Sequence, residues 1–123
     1  MTCVLIVEDE PYILMAAEAM LEDAGYETVP AVTVAEAFGV LYSSKIVDLV
    51  FTDMQLGSHS DGGTVVAAAV QKQRPGTPVL YTSGHVSPYT PFLPKPYTDS
   101  ALTKAVANLL GQVDRNGRGE APN

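Results

Sequence analysis

CVLIVEDEP, residues 3–11, decides how the rest of the chain is read. Its first five residues are apolar without a break. A strand with one wet face would alternate, so the run belongs to a strand covered on both faces, the habit of parallel sheets. An acidic cluster follows at once. Then comes Pro11, whose fixed φ and missing N–H suit the first turn of a helix. Strand, acidic turn and helix in direct succession open an alternating β/α chain.

Working outward, the same alternation recurs. Ile13, Ala16, Ala17, Met20, Leu21 and Ala24 return at helical spacing, and Gly25 supplies a stop. On this phase Leu14 and Met15 fall off the core stripe. Glu27–Val29 is a short strand, placed at a sheet edge by Pro30. Thr33 and Glu36 form a capping box for a second helix running to Tyr42. Asp48–Thr52 is another strand of the buried type. Gly62 and Gly63 precede a third helix over residues 64–73, closed by Pro75 and Gly76. Pro78–Thr82 and the shorter Pro91–Leu93 complete five strands. Thr98 caps a last helix carrying Leu102, Val106, Leu109 and Leu110, with Gly111 as its stop. The polar, Gly-rich remainder, residues 112–123, reads as a disordered tail. Alternating strands and helices predict an α/β domain over residues 1–111, a parallel sheet with helices on both faces.

Composition excludes several classes. A chain of 123 residues with 46% hydrophobic residues can bury the core of one domain. The net charge of −7 argues against direct nucleic-acid binding, which needs a basic footprint. No apolar run approaches the roughly 18 residues of a membrane span, and the N-terminus lacks the basic region of a signal peptide. A single cysteine, Cys3, in an apolar run reads as a buried thiol in a reducing cytoplasm.

Open parallel sheets bind ligands beyond the carboxyl ends of their strands. Glu8 and Asp9 follow the first strand, Asp53 the third, Thr82 and Ser83 the fourth, and Lys95 the fifth. Each has an ordinary reading alone: Asp9 or Glu10 as a helix cap, Asp53 as a loop carboxylate, Ser83 as a turn former, Lys95 as a surface cation. Together they conflict. Carboxylates about 5 Å apart repel by about 3 kcal/mol per pair at an effective dielectric near 20. A hard divalent ion resolves that, and Mg²⁺ fits a site of few carboxylates plus water and phosphate. No histidine or cysteine joins the cluster, which disfavours zinc.

The segments VLIVEDE, LVFTD and FLPKP, in this order, resemble the signature segments of response-regulator receiver domains, the phosphoacceptors of two-component signalling. The resemblance spans about residues 3–110 and implies a doubly wound, flavodoxin-like five-stranded parallel sheet in the order 2-1-3-4-5. It implies that Asp53 accepts the phosphoryl group and that Glu8 and Asp9 order Mg²⁺, with Asp53 itself and the Gln55 backbone carbonyl as further ligands. Ser83, before the small Gly84, matches the switch hydroxyl, with Thr82 the neighbouring register. Phe92 matches the aromatic switch position. Lys95-Pro96 matches the lysine whose bond to proline is usually cis. The implied partner is a sensor histidine kinase or a histidine phosphotransfer protein, and the implied role is signalling rather than conventional catalysis.

Three departures from that pattern stand out. Gly57 replaces a usual proline, and the loop LGSHSDGG is one residue longer than the common form. Residues Gly84 to Tyr89 must also make a crossover that normally contains a helix. Fully extended they span about 20 Å, and returning along a four-residue strand needs about 13 Å, so the crossover closes only without a helix. This resembles the receiver offshoot with a Thr-Gly-Tyr-like end to its fourth strand; His85 stands at the tyrosine, and His85 and His59 both read as structural. Segment 84–90 is expected to be mobile until phosphorylation draws Ser83 inward and Phe92 repacks, and the lost helix implies an altered output face. Tyr12, Leu14 and Met15 are expected to meet the phosphodonor. No output module is apparent, so signalling would run through protein contacts or phosphate storage. Two other classes stay open. A haloacid-dehalogenase-type phosphatase would want an aspartate where Gln55 stands and a separate covering domain. A pseudo-receiver would keep the fold as a binding module without phosphorylation.

Overall fold

The structure, a computed structural model, describes residues 1–85 and 87–116. The elements run β1 (Cys3–Val7), α1 (Pro11–Asp23), β2 (Glu27–Ala31), α2 (Val34–Leu41), β3 (Leu49–Asp53), α3 (Gly62–Gln73), β4 (Val79–Ser83), β5 (Phe92–Pro94) and α4 (Asp99–Asn116). The five strands form one parallel sheet in the order β2-β1-β3-β4-β5. β1 and β3 are buried along their whole length, as their unbroken apolar runs demand.

Alternation along the strands sorts the core into two layers. Val4, Ile6, Leu49, Phe51, Leu80 and Leu93 face one side and pack with Leu14, Ala17 and Leu21 of α1 and Leu102 and Val106 of α4. Leu5, Val7 and Val50 face the other, with Ala37 and Leu41 of α2 and Val66, Ala69 and Val70 of α3. Each large side chain buried this way contributes about 1.5–3 kcal/mol.

The helix caps follow the sequence closely. Thr33 Oγ1 accepts the Glu36 N–H at 3.0 Å, and the Glu36 carboxylate reaches back to the Val32 N–H at 2.9 Å. Thr98 Oγ1 accepts the Ala101 N–H at 3.0 Å. Glu10 stands at the N-cap of α1 without a side-chain bond to the helix, so neither it nor Asp9 serves as the cap. Both glycines before α3 belong to its first turn.

Two expectations need correction. Leu14 is buried in the core, while Tyr12 and Met15 are the exposed apolar residues of α1. Residues 13–17 are all apolar, so spacing alone could not fix the phase of the helix; the sheet contact fixes it on Leu14, Ala17 and Leu21. Gly111 does not end the last helix, which continues to Asn116. Leu102, Val106, Leu109 and Val113 keep helical phase across the glycine, and one interior glycine costs only about 1 kcal/mol. Residues 117–123 of the expected tail lie outside the described residues. No described helix is long and apolar enough to cross a membrane.

Between β4 and β5 the described residues 84, 85 and 87–91 contain no helix. The length of the crossover leaves no room for one. Both Lys95-Pro96 and Thr90-Pro91 are cis.

Candidate functional site

The chain leaves β1 for β2 on one side and returns to β3 on the other. The crevice between β1 and β3 is therefore the switch point of the sheet, where strand ends leave space for a ligand. Glu8 extends the β1–β2 pairing by donating its N–H to Ala31 O at 3.0 Å, and its side chain turns inward, 2% exposed. Asp53 ends β3 and is likewise buried. Met54 N–H donates to Thr82 O and Gly63 N–H to Met54 O, both at 2.9 Å, so β4 and the first turn of α3 clamp the backbone after Asp53. A Cβ on Gly63 would lie 2.6 Å from Asp53 O, and only glycine permits that approach.

Lys95 enters from the end of β5, where its N–H donates to Ser83 O at 2.9 Å. Its Nζ lies 2.8 Å from Glu8 Oε1 and 2.7 Å from Asp53 Oδ2. The second oxygens are also held: Glu8 Oε2 by the Glu10 N–H and Asp53 Oδ1 by the Gln55 N–H, both at 3.1 Å. Asp9 Oδ2 accepts the Gly57 N–H at 2.8 Å. One oxygen from each of Glu8, Asp9 and Asp53 lies within 4.8 Å of the others.

Charge explains the arrangement. Three carboxylates and one ammonium leave the cluster at −2, the charge a divalent cation would offset. Burial pushes Glu8 above the usual carboxylate range, and the Asp53 charge adds to that, while the Lys95 hydrogen bond opposes it. Burial works against the Lys95 ammonium, but its bonds to Asp53 and Glu8 outweigh burial and hold its pKa above the ordinary value. Tyr97 stands close enough to feel the same charges. Burial, then the Glu8 carboxylate, push its phenol up to about 12. Its ring packs edge-on against Phe51, with centroids 5.6 Å apart. Oxygen donors at this separation, with no nitrogen or sulfur among them, fit an octahedral Mg²⁺ that keeps waters on its open positions.

Ser83 is buried at the end of β4, and its Oγ accepts the His85 N–H at 3.1 Å. It borders a cavity of about 230 Å³ shared with Gln55, Ser60, His85 and Tyr89. Thr82 points to the opposite face, and its buried hydroxyl has no hydrogen-bond partner. Phe92 is half-buried beside Tyr81 across the β4–β5 pair. Sequence reasoning passed over Tyr81, whose ring meets that of Tyr89 in the crossover at 5.7 Å. It also passed over Tyr97 and the Gly57–Asp9 bond. No local pattern signals contacts between residues so far apart in the chain.

The response regulator receiver domain model matches residues 4–107. The chain belongs to the response regulator receiver domain family. A receiver protein from Sinorhizobium medicae WSM419 superposes with a TM-score of 0.83 at 30% identity, covering 91% of this chain and 96% of that one. A CheY-like receiver domain from Methanospirillum hungatei JF-1 reaches a TM-score of 0.85 at 24% identity, covering 95% and 99%, and supports the fold alone. The transcriptional regulatory protein GlrR of Escherichia coli K12 is 33% identical over 88% of this chain and 26% of its own length. The alginate biosynthesis transcriptional regulatory protein AlgB of Pseudomonas syringae pv. tomato is 31% identical over 96% and 28%. The receiver domain thus spans about a quarter of the curated relatives it matches. Receiver domains are signalling domains that accept phosphate from histidine kinases or phosphotransfer proteins, and they bind Mg²⁺ at an acidic pocket. In this receiver the acidic cluster that could hold a metal is Glu8, Asp9 and Asp53.

Proposed function

We propose that this receiver domain accepts a phosphoryl group on Asp53, in the cytoplasm, from a phosphohistidine on a sensor kinase or histidine phosphotransfer protein. The observation that carries the reading is the Lys95 ammonium bridging Glu8 and Asp53 at 2.8 and 2.7 Å, at the switch point of the sheet. Such a bridge holds the acceptor carboxylate in one orientation and places a fixed positive charge where phosphoryl oxygens arrive. An Asp53 carboxylate oxygen attacks phosphorus, the P–N bond breaks, and the imidazole leaves with its electron pair and takes up a proton, giving an acyl phosphate. Glu8, Asp9, Asp53 and the Gln55 carbonyl would hold Mg²⁺, which when bound offsets the charge of the transferred group. Lys95 keeps a hydrogen bond to the Asp53 side, and the Ser83 hydroxyl turns from the His85 N–H to donate to a phosphoryl oxygen. Phe92, beside Tyr81, repacks as the end of β4 moves.

The donor approaches along α1. A cavity of about 510 Å³ lined by Tyr12, Ile13, Ala16, Met20, Pro96 and Tyr97 opens next to Lys95 and accepts an apolar helical surface. The test is phosphorylation by a small phosphodonor with and without Mg²⁺. Native protein is expected to incorporate acid-stable, base-labile label, and Asp53→Asn none. Stoichiometric label that survives Asp53→Asn refutes the acceptor. Native protein that binds no Mg²⁺ and takes no label is a pseudo-receiver, acting through binding alone.

A further inference from the structure

Gly57 occupies a loop position where a proline is the common residue, and the structure gives the exchange a purpose. Leu56 and His59 exchange backbone hydrogen bonds, N–H to O in both directions at 2.9 Å, as an isolated antiparallel bridge. Gly57 and Ser58 are thus the two central residues of a tight hairpin. Gly57 has φ +61, and among the described residues only glycines have a positive φ. Positive φ at the first central position alone is the signature of a type II′ turn, which calls for glycine there.

In such a turn the two bridge bonds leave the N–H of the first central residue unused. Here that N–H donates to Asp9 Oδ2 at 2.8 Å. The bond joins residues 48 positions apart, and Leu56, at the base of the turn, is 2% exposed, which anchors the hairpin in the core. A proline at 57 could supply neither the N–H nor the positive φ.

We propose that the Gly57 N–H is a positioning group for the metal site: it holds Asp9 Oδ2 so that the other carboxylate oxygen faces Glu8 and Asp53. The inference rests on the reading of Glu8, Asp9 and Asp53 as Mg²⁺ ligands. Asp9 needs such a support more than its neighbours do. Glu8 and Asp53 are buried and held by Lys95, whereas Asp9 is only half-buried and receives no bond from that amine. Hydrogen bonds that orient a ligand from behind are worth about 10- to 100-fold in metal affinity.

The experiment is Mg²⁺ titration of the full chain by calorimetry for native protein and three variants, with hydrogen exchange of the Gly57 amide followed by NMR. Gly57→Pro removes the donor and is expected to weaken Mg²⁺ binding by about 10- to 100-fold. Gly57→Asn keeps the N–H and bears a positive φ better than alanine does, so its loss of Mg²⁺ affinity is expected to be clearly smaller than that of Gly57→Pro. Gly57→Ala keeps the donor but strains the turn; equal losses in the Ala and Pro variants would assign the effect to the turn and overturn the proposal. An unchanged dissociation constant in Gly57→Pro overturns it as well. The exchange measurement does not depend on a variant of the turn folding: the Gly57 amide is expected to be protected in native protein, to stay protected with Mg²⁺ bound, and to exchange freely in Asp9→Ala. Fast exchange in native protein that binds Mg²⁺ refutes the Gly57 support alone. Failure of native protein to bind Mg²⁺ refutes the metal reading and the positioning role together.

Discussion

Replacing Lys95 with methionine keeps most of the side-chain volume and removes the charge, so its effect isolates the bridge between Glu8 and Asp53. In the native chain the Lys95, Glu8 and Asp53 side chains are 16%, 3% and 8% exposed. Breaking a buried pair by deleting one partner costs about 3–5 kcal/mol, because the remaining charges stay desolvated. Here two carboxylates remain, with oxygens within 4.8 Å, and their repulsion of about 3 kcal/mol at an effective dielectric of 20 supplies a comparable figure. The loss should appear as a lower urea midpoint at pH 7. It should shrink towards acid: Glu8 already titrates above its unfolded value, so the native state binds more protons than the unfolded chain as pH falls through that window. Without Lys95 the hydrogen bond that lowers Glu8 is gone, its pKa rises further, and stability falls more steeply as pH rises past the unfolded carboxylate value. Mg²⁺ gives the second readout. Removing a positive charge about 5 Å from a divalent ion removes a repulsion of about 7 kcal/mol at an effective dielectric of 20, so even a fifth of it appearing in binding is a gain of about 10-fold in affinity. Lys95→Met is therefore expected to bind Mg²⁺ more tightly than native protein while losing phosphorylation. A stability loss independent of both pH and Mg²⁺, measured by urea unfolding across pH 4–8, would refute the electrostatic account and leave only packing.

Gly63→Ala is expected to cost about 1–3 kcal/mol and to slow phosphorylation of Asp53, because its Cβ meets Asp53 O at 2.6 Å and the clamp on β3 must move; unchanged stability and labelling would show that the loop yields freely. Leu14→Ala should destabilise by about 2–5 kcal/mol as a core truncation. Met15→Asp, on the exposed face of the same helix, should leave the melting curve in place and slow phosphotransfer from a histidine-bearing bundle; unaltered transfer would place docking elsewhere. Thr82→Val removes a buried hydroxyl without a partner and should stabilise by about 1 kcal/mol. A clear loss in thermal unfolding would show that the hydroxyl is paired in solution.

What the sequence made legible, and what it hid, follow from the range of the forces involved. Cys3–Val7 and Leu49–Asp53 announce themselves because a strand buried on both faces must be apolar at every position. Once those strands are placed, the residues after them are rim residues by topology, which is why Glu8, Asp9, Asp53, Ser83 and Lys95 could be named before any contact was known. The phase of α1 could not be read, since five consecutive apolar residues fit more than one stripe and only the sheet chooses among them. Gly111 misled for the opposite reason: a local stop signal was outweighed by long-range packing of Leu102, Val106 and Leu109. The Gly57–Asp9 bond, the Tyr81–Tyr89 contact and the placement of Tyr97 against Phe51 join distant residues through geometry that no spacing encodes.

The two outer strands of the sheet face one problem, and prolines answer it at both. As the outer strands of the sheet, β5 and β2 would present unpaired N–H groups to other chains. β5 is only three residues long, and it binds β4 through Pro91 O to the Tyr81 N–H and through the Lys95 N–H to Ser83 O. By alternation the outward positions are Phe92 and Pro94, and Pro94 has no N–H to offer. The other outer strand, β2, is built the same way. Glu27 and Ala31 bond inward, to Thr2 O and the Glu8 N–H, so Thr28 and Pro30 face out, and Pro30 again withholds a donor. Each edge therefore exposes a single strand N–H, at Thr28 and at Phe92. On the inner side of the crossover the Tyr89 ring lies over Tyr81, covering with one aromatic part of the sheet that a helix would have covered. The prolines of residues 88–96 thus do two jobs: they disfavour a helix in a crossover too short for one, and Pro94 withholds a donor from the edge of the sheet.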